Sequence, residues 1–285
     1  MAQCIAFHSY KGGTGKTTIA CNLAAILAMK GQSVALIDLD VYAPSLRTYF
    51  GYTPVKWIND LLSDNAKASD VIVDMTPTIE KLITNPNKKM GKLWIGFSNP
   101  QKEEIAKLEG YMSKKTPEKL ELLKRFIQLR DTLLDDYDCE YVILDTSPGV
   151  RFWSINSLAV ADKLFLTLKV GELDIDGTKL LANDIYAKFT EIGAKSYVLL
   201  NRVSGYCIPH ASHSIALEAI DGTQTGEYDI IGRVSSEIGL KPISAIPCYC
   251  DIQFSRREFL TVLQYPNHPF SKQIDLLSES EGFKT

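Results

Sequence analysis

Between Phe7 and Thr18 the chain reads FHSYKGGTGKTT, a run dense in glycine, lysine and threonine. Gly12, Gly13 and Gly15 permit backbone torsions that other residues resist. Successive N–H groups from Gly12 through Thr14 and Gly15 can then turn inward around an anion. A short apolar strand, Gln3 to His8, precedes the run, and a helical pattern opens near Lys16, with Ile19, Leu23, Ile26 and Leu27 on one face. A helix that starts there directs the positive end of its dipole at the same anion. Lys16 can reach the β- and γ-phosphates of a nucleotide, Thr17 can place its hydroxyl on Mg²⁺, and Thr18 is placed for the α-phosphate. The chemistry of this run is that of a cradle for ATP and magnesium.

Acidic residues follow at the ends of later apolar runs. Asp38 and Asp40 close SVALIDLD, and alternation along a strand puts both on one side of the chain, with Leu39 on the other. Asp145 closes YVILD, where a carboxylate can hold a magnesium-bound water. Pro148 and Gly149 then open a loop.

These residues need a scaffold that brings strand ends together. Strand patterns at Gln3 to His8, Ser33 to Leu39, Leu93 to Phe97, Tyr141 to Asp145, Lys163 to Leu168, Ser196 to Asn201 and Pro242 to Ile246 alternate with helical ones. The helices are predicted at Lys16 to Met29, Pro117 to Leu134, Asp174 to Ile192, Ile215 to Ala219, Phe254 to Leu263 and Pro269 to Leu277. Near-continuous Val/Ile/Leu strands separated by helices predict an α/β fold, a doubly wound and mostly parallel sheet covered on both faces. Such a sheet binds ligands at the carboxyl ends of its strands, where the glycine run and the acidic residues converge. One P-loop domain over residues 1–285 is expected, with an irregular elaboration around 56–138.

Composition fits this reading. The chain has 285 residues, 45% of them hydrophobic and 23% charged, with a net charge of −3. That supports a full core without disulfide staples and argues against wholesale coating of nucleic acid. No apolar run is long enough to cross a membrane, and the first residues lack a signal peptide, so a cytoplasmic protein with reduced cysteines is expected.

The form KGGTGKTT departs from the general phosphate loop: Tyr10 stands where a glycine is usual, and Lys11 is an additional lysine. Together with IDLD and LDTSPG this resembles the deviant phosphate loop of the ParA/MinD/Mrp superfamily of ATPases, in the wider SIMIBI-type class. The resemblance implies an ATP-dependent homodimer in which Lys11 crosses to the partner's nucleotide. It implies that Asp40 activates the attacking water, that Asp38 lies nearer the Mg²⁺ shell, and that Asp145 opens the second switch. It further implies that Asn201 and Arg202 in LLNRV, with Pro247 in AIPCYCD, border the adenine. A slow hydrolysis stimulated by a protein activator, serving to position or partition DNA or a cellular assembly, follows from the same resemblance.

Other branch features remain open. DLDVYAPS is similar to the segment of the Mrp-type iron–sulfur carriers, with Ala43 in place of a glycine, and Cys248 and Cys250 form a C-x-C that could ligate a cluster. Cys207 stands apart. Arg256, Arg257 and Lys272 could add to a DNA-binding patch of the ParA kind. The tail carries Phe270, Ile274 and Leu277 on one face, but its Glu279 and Glu281 do not suit a membrane-surface helix.

Overall fold

Gln3–His8 forms the central strand β1, and every element of the site is arranged around its carboxyl end. The structure is a computed structural model that describes residues 2–83, 90–110, 116–203 and 230–283. The other strands are β2 (Val34–Leu39), β3 (Ile72–Asp74), β4 (Leu93–Gly96), β5 (Tyr141–Thr146), β6 (Lys163–Leu168), β7 (Lys195–Val203) and β8 (Pro242–Pro247). They form an eight-stranded sheet in the order β3-β4-β2-β5-β1-β6-β7-β8. All pairings are parallel except β3 with β4.

Helices cover both faces. In chain order they are α1 (Lys16–Met29), α2 (Leu46–Phe50), α3 (Ile58–Leu62), α4 (Ala68–Val71), α5 (Thr76–Glu80), α6 (Lys102–Gly110), α7 (Thr116–Asp135) and α8 (Phe152–Ala159). After these come α9 (Glu172–Leu181), α10 (Ala187–Glu191), α11 (Ile230–Ile238), α12 (Cys250–Gln253), α13 (Thr261–Gln264) and α14 (Pro269–Ser278). Strand alternation sorts the core into two layers. Cys4 and Ala6 of β1 face the layer containing Phe126 of α7 and Trp153 of α8, whereas Ile5 and Phe7 face the layer containing α1, α13 and α14. The doubly wound, mostly parallel architecture is the one the strand patterns predict.

α1 is buried on nearly all sides, which explains its almost unbroken apolar sequence after Thr18. Its one fully buried amide, Asn22, bonds back to its own helix and ties it to α13. Nδ2 donates to Thr18 O at 2.8 Å, and Oδ1 accepts from Val262 N at 3.1 Å. Gly31 ends the helix at φ +94°, as the glycine after the pattern predicts.

Two segments differ from expectation. The helix predicted over Phe254 to Leu263 is two short helices, α12 and α13, with non-helical chain between them. Ser255 explains the break: its Oγ donates to Arg257 O at 2.7 Å, a local bond that competes with helical pairing. The helix predicted over Asp174 to Ile192 begins at Glu172 and contains a π-helical turn at Ala182–Tyr186. That turn ends on Tyr186, whose ring is buried against His8 at 6.2 Å between centroids. Residues 56–138 supply β3, β4, α6 and α7, so this stretch contributes directly to the sheet and one of its covering layers. The predicted helix Ile215 to Ala219 and Cys207 lie outside the described residues. Among the described residues no helix is long and apolar enough to cross a membrane.

Candidate functional site

The loop from Ser9 to Gly15 leaves β1 and enters α1 directly. Gly15 sits at φ +92°, and a Cβ there would lie 2.1 Å from Asn201 Nδ2. Glycine is therefore required twice over, by torsion and by space. Asn201 reaches this point from the end of β7 and donates through Nδ2 to Thr14 O at 2.7 Å. Arg202 follows in left-handed backbone, φ +57°, with its N–H donating to Asn201 Oδ1 at 2.9 Å.

Lys16 is almost fully buried and folds back over the loop, with Nζ donating to Ser9 Oγ at 2.9 Å. Ser9 Oγ in turn donates to Lys11 O at 2.6 Å. Burial pulls the Lys16 pKa below the ordinary lysine value, and the carboxylates of Asp145 and Asp40 act against that shift. Lys11 is half-buried, and its side chain makes no ion pair among the described residues.

Strand register brings the acidic residues into place. Asp38 and Asp145 are direct partners on the neighbouring strands β2 and β5, and both are buried. Thr17 Oγ1 donates to Asp145 Oδ2 at 2.6 Å, while Asp145 Oδ1 has no hydrogen-bond partner. Burial raises the Asp145 pKa to about 6; Lys16 and Thr17 oppose this, and Asp40 adds to it. Asp38 is raised well above the carboxylate range by burial, then by Asp145 and Asp40. Two buried carboxylates side by side, an orphaned oxygen and an adjacent threonine hydroxyl fit a divalent cation. Thr17 and Asp145 could hold Mg²⁺ directly or through water. Asp38 is committed to the following loop, accepting from Asp40 N at 3.1 Å and Leu46 N at 3.3 Å.

Asp40 joins the loop after β2 to the loop after β5. Its Oδ1 accepts from Ser147 Oγ at 2.7 Å and from Ala43 N at 3.2 Å. The loop after β5 is also tied to the phosphate loop, since Gly149 N donates to Ser9 O at 2.8 Å. A cleft of about 430 Å³ lies among these loops, lined by Gly12, Gly13, Lys16, Thr17, Asp40 and Pro148 among others. A smaller hollow of about 90 Å³, lined by Asn201, Arg202 and Pro247, shares Gly15, Thr18, Arg202 and Glu258 with it. Through these shared residues the two run together as one groove, from the glycine loop to Asn201. The structure thus gathers Lys16, Thr17, Thr18, Asp40, Asn201, Arg202 and Pro247 around one groove, with Asp145 bonded beneath it to Thr17.

Behind the loop, His8 is fully buried and donates through Nδ1 to Thr146 Oγ1 at 2.9 Å, because that hydroxyl spends its own proton on Phe7 O at 2.8 Å. Burial and the nearby Lys16 lower the His8 pKa to about 3. The unfolded chain binds a proton here near pH 6.5, whereas the native chain refuses it down to about pH 3. His8 therefore favours folding above pH 6.5, and this contribution is lost as pH falls through that window. Between pH 7 and pH 5 the stability gap between the wild type and His8→Gln is expected to shrink by about 2 kcal/mol, measured by urea unfolding.

The family described as AAA domain matches residues 2–192. The chain belongs to the ParA/MinD superfamily of P-loop ATPases. Among its curated relatives is the chromosome-partitioning ATPase Soj of Treponema pallidum, 26% identical over 185 residues, covering 65% of this chain and 64% of Soj. Another is the cytosolic Fe-S cluster assembly factor NUBP2 homolog of Nematostella vectensis, 29% identical over 210 residues, covering 72% of this chain and 67% of that protein. The chain thus spans about 64% of the length of the first of these. Among solved structures, the cell division ATPase MinD of Pyrococcus furiosus superposes with a TM-score of 0.69 at 17% identity, covering 98% of each chain. At that identity the likeness speaks to the fold.

Within this member of the ParA/MinD superfamily, several residues of the groove carry no signal in the motifs. Ser9 and Ser147 lie inside them but look like ordinary loop serines until their partners, Lys16 and Asp40, are seen. Tyr49 pairs with Thr18, Oγ1 to Oη 2.7 Å, and Glu258 arrives from the distant segment after α12. Lys169, at the end of β6, brings Nζ to 3.7 Å from the place a Gly13 Cβ would occupy. Cys248 is half-buried and Cys250 exposed at the end of β8, and among the described residues no group of three or more His, Cys, Asp or Glu could hold a metal ion.

Proposed function

We propose that this chain is a nucleotide switch that binds Mg-ATP in the groove, hydrolyses it as a nucleotide-sandwiched homodimer, and serves to position or partition DNA or a cellular assembly in the cytoplasm. The observation that carries this reading is the pairing of Thr17 with Asp145 beside the buried Lys16, at a loop whose Gly15 has no room for a Cβ. Backbone amides from Gly12 to Thr18 bind the phosphates. Lys16 exchanges Ser9 for the β- and γ-phosphates, and Thr17 and Asp145 hold Mg²⁺, which offsets the developing charge. Asp40 orients the attacking water. Asn201, Arg202 and Pro247 border the adenine, and Lys11 supplies charge to the partner's nucleotide. Loss of the γ-phosphate releases the loops that Asp40 and Gly149 tie to the site, and with them the dimer. A protein activator is expected, and the likeness to the chromosome-partitioning ATPase Soj supports the biological assignment.

The test is magnesium-dependent phosphate release from ATP, measured for the wild type and for Lys16→Ala. Release by the wild type and a loss of at least about a hundredfold in the variant support the proposal. Equal release from both contradicts it. The second reading, an ATP-dependent iron–sulfur carrier, draws on the NUBP2 relative and on Cys248 and Cys250. Anaerobic reconstitution with iron and sulfide separates the two: a stoichiometric cluster lost in Cys248→Ala and Cys250→Ala favours the carrier.

A further inference from the structure

Arg151 follows the second-switch loop by two residues and has no place in the roles assigned so far. Its backbone is anchored at the start of α8, where its N–H donates to Gly149 O at 3.0 Å and its carbonyl accepts from Ile155 N at 2.9 Å. Its side chain is exposed and lines the larger cleft. There the guanidinium lies 4.2 Å from the centroid of the Tyr42 ring, which comes from the loop after β2 and lines the same cleft. Among the described residues no ion pair occupies this guanidinium.

The contact spans the same two loops that Asp40 and Ser147 join through their hydrogen bond of 2.7 Å. The bonds differ in what can displace them. A cation resting on an aromatic face near water is held weakly, whereas a guanidinium on a phosphate forms charge-assisted, often bidentate bonds. A phosphate entering the cleft therefore outcompetes the ring. Position selects which phosphate. Arg151 and Tyr42 line the larger cleft beside Asp40 and Pro148, and neither lines the smaller hollow with Asn201 and Pro247. Given base-end recognition at that hollow, Arg151 stands at the far end of the polyphosphate.

We infer that Arg151 is a specificity-determining residue that distinguishes a nucleoside triphosphate from a diphosphate, resting on Tyr42 until a terminal phosphate takes it. This rests on the ATP-binding reading above and adds a residue to it. With Arg151 transferred, the second-switch segment is held by the nucleotide; after hydrolysis it returns to the tyrosine. The chain thus carries, within one subunit, a sensor of the terminal phosphate separate from Lys11.

The experiment is equilibrium binding of Mg²⁺ with ADP and with a non-hydrolysable ATP analogue, at protein concentrations where light scattering shows monomer. Arg151→Ala is expected to weaken the analogue about tenfold while ADP stays within about twofold of wild type. Arg151→Lys, which keeps charge without the planar fork, is expected to fall between the wild type and the alanine variant. Unchanged affinities in Arg151→Ala, or equal losses for both nucleotides, overturn the inference. Failure of the wild type to bind either nucleotide instead removes the ATP-binding reading itself.

Discussion

Lys11→Ala is expected to bind Mg-ATP within about threefold of the wild type and to hydrolyse it about 10³–10⁵ times more slowly. The backbone around Lys11 does not depend on its side chain. Ser9 Oγ fixes the Lys11 carbonyl, and the Tyr10 ring lies against Gly177 of α9, so close that a Cβ there would meet it at 2.0 Å. Truncation at Cβ therefore leaves the cradle intact. What is lost is the charge that, in the proposed sandwiched dimer, would meet the transition state of the other site. ATP-dependent dimerisation is expected to fail in the same variant, read by light scattering. A variant that instead loses nucleotide affinity would place Lys11 on its own phosphates.

The second large effect is the opposite uncoupling. Asp40→Ala is expected to keep ATP binding, to lose hydrolysis by about 10²–10⁴, and to accumulate as a dimer in Mg-ATP. The side chain of Asp40 makes its contacts through Oδ1, to Ser147 and Ala43, so it is held by the loops after β2 and β5 rather than by the phosphate cradle. Removing it takes away the group proposed to orient water and leaves Lys16, Thr17 and Asp145 in place. Light scattering with Mg-ATP reads the outcome, and a variant that stays monomeric counts against this role.

The cradle was legible because its parts are contiguous: strand, glycine run and helix occupy residues 3 to 29 without interruption. β1, α1 and β6 begin and end where the patterns predict, since each is buried along nearly its whole length and apolar periodicity reports burial. β3 was missed because three residues carry too little pattern, and its antiparallel pairing needs β4 to exist first. The π turn ends on Tyr186, whose ring stacks on His8, a contact between residues far apart in sequence that local spacing does not record. The same reason hid Glu258, Lys169 and the Arg151–Tyr42 contact. They join the site only after the sheet has brought separate strand ends together, and local spacing holds no record of that.

The most direct measurement is a calorimetric titration of the purified chain with ATP in the presence of magnesium. Saturable binding of one nucleotide per chain, absent in Lys16→Ala, is the predicted result. No binding up to millimolar ATP would contradict the account at its root.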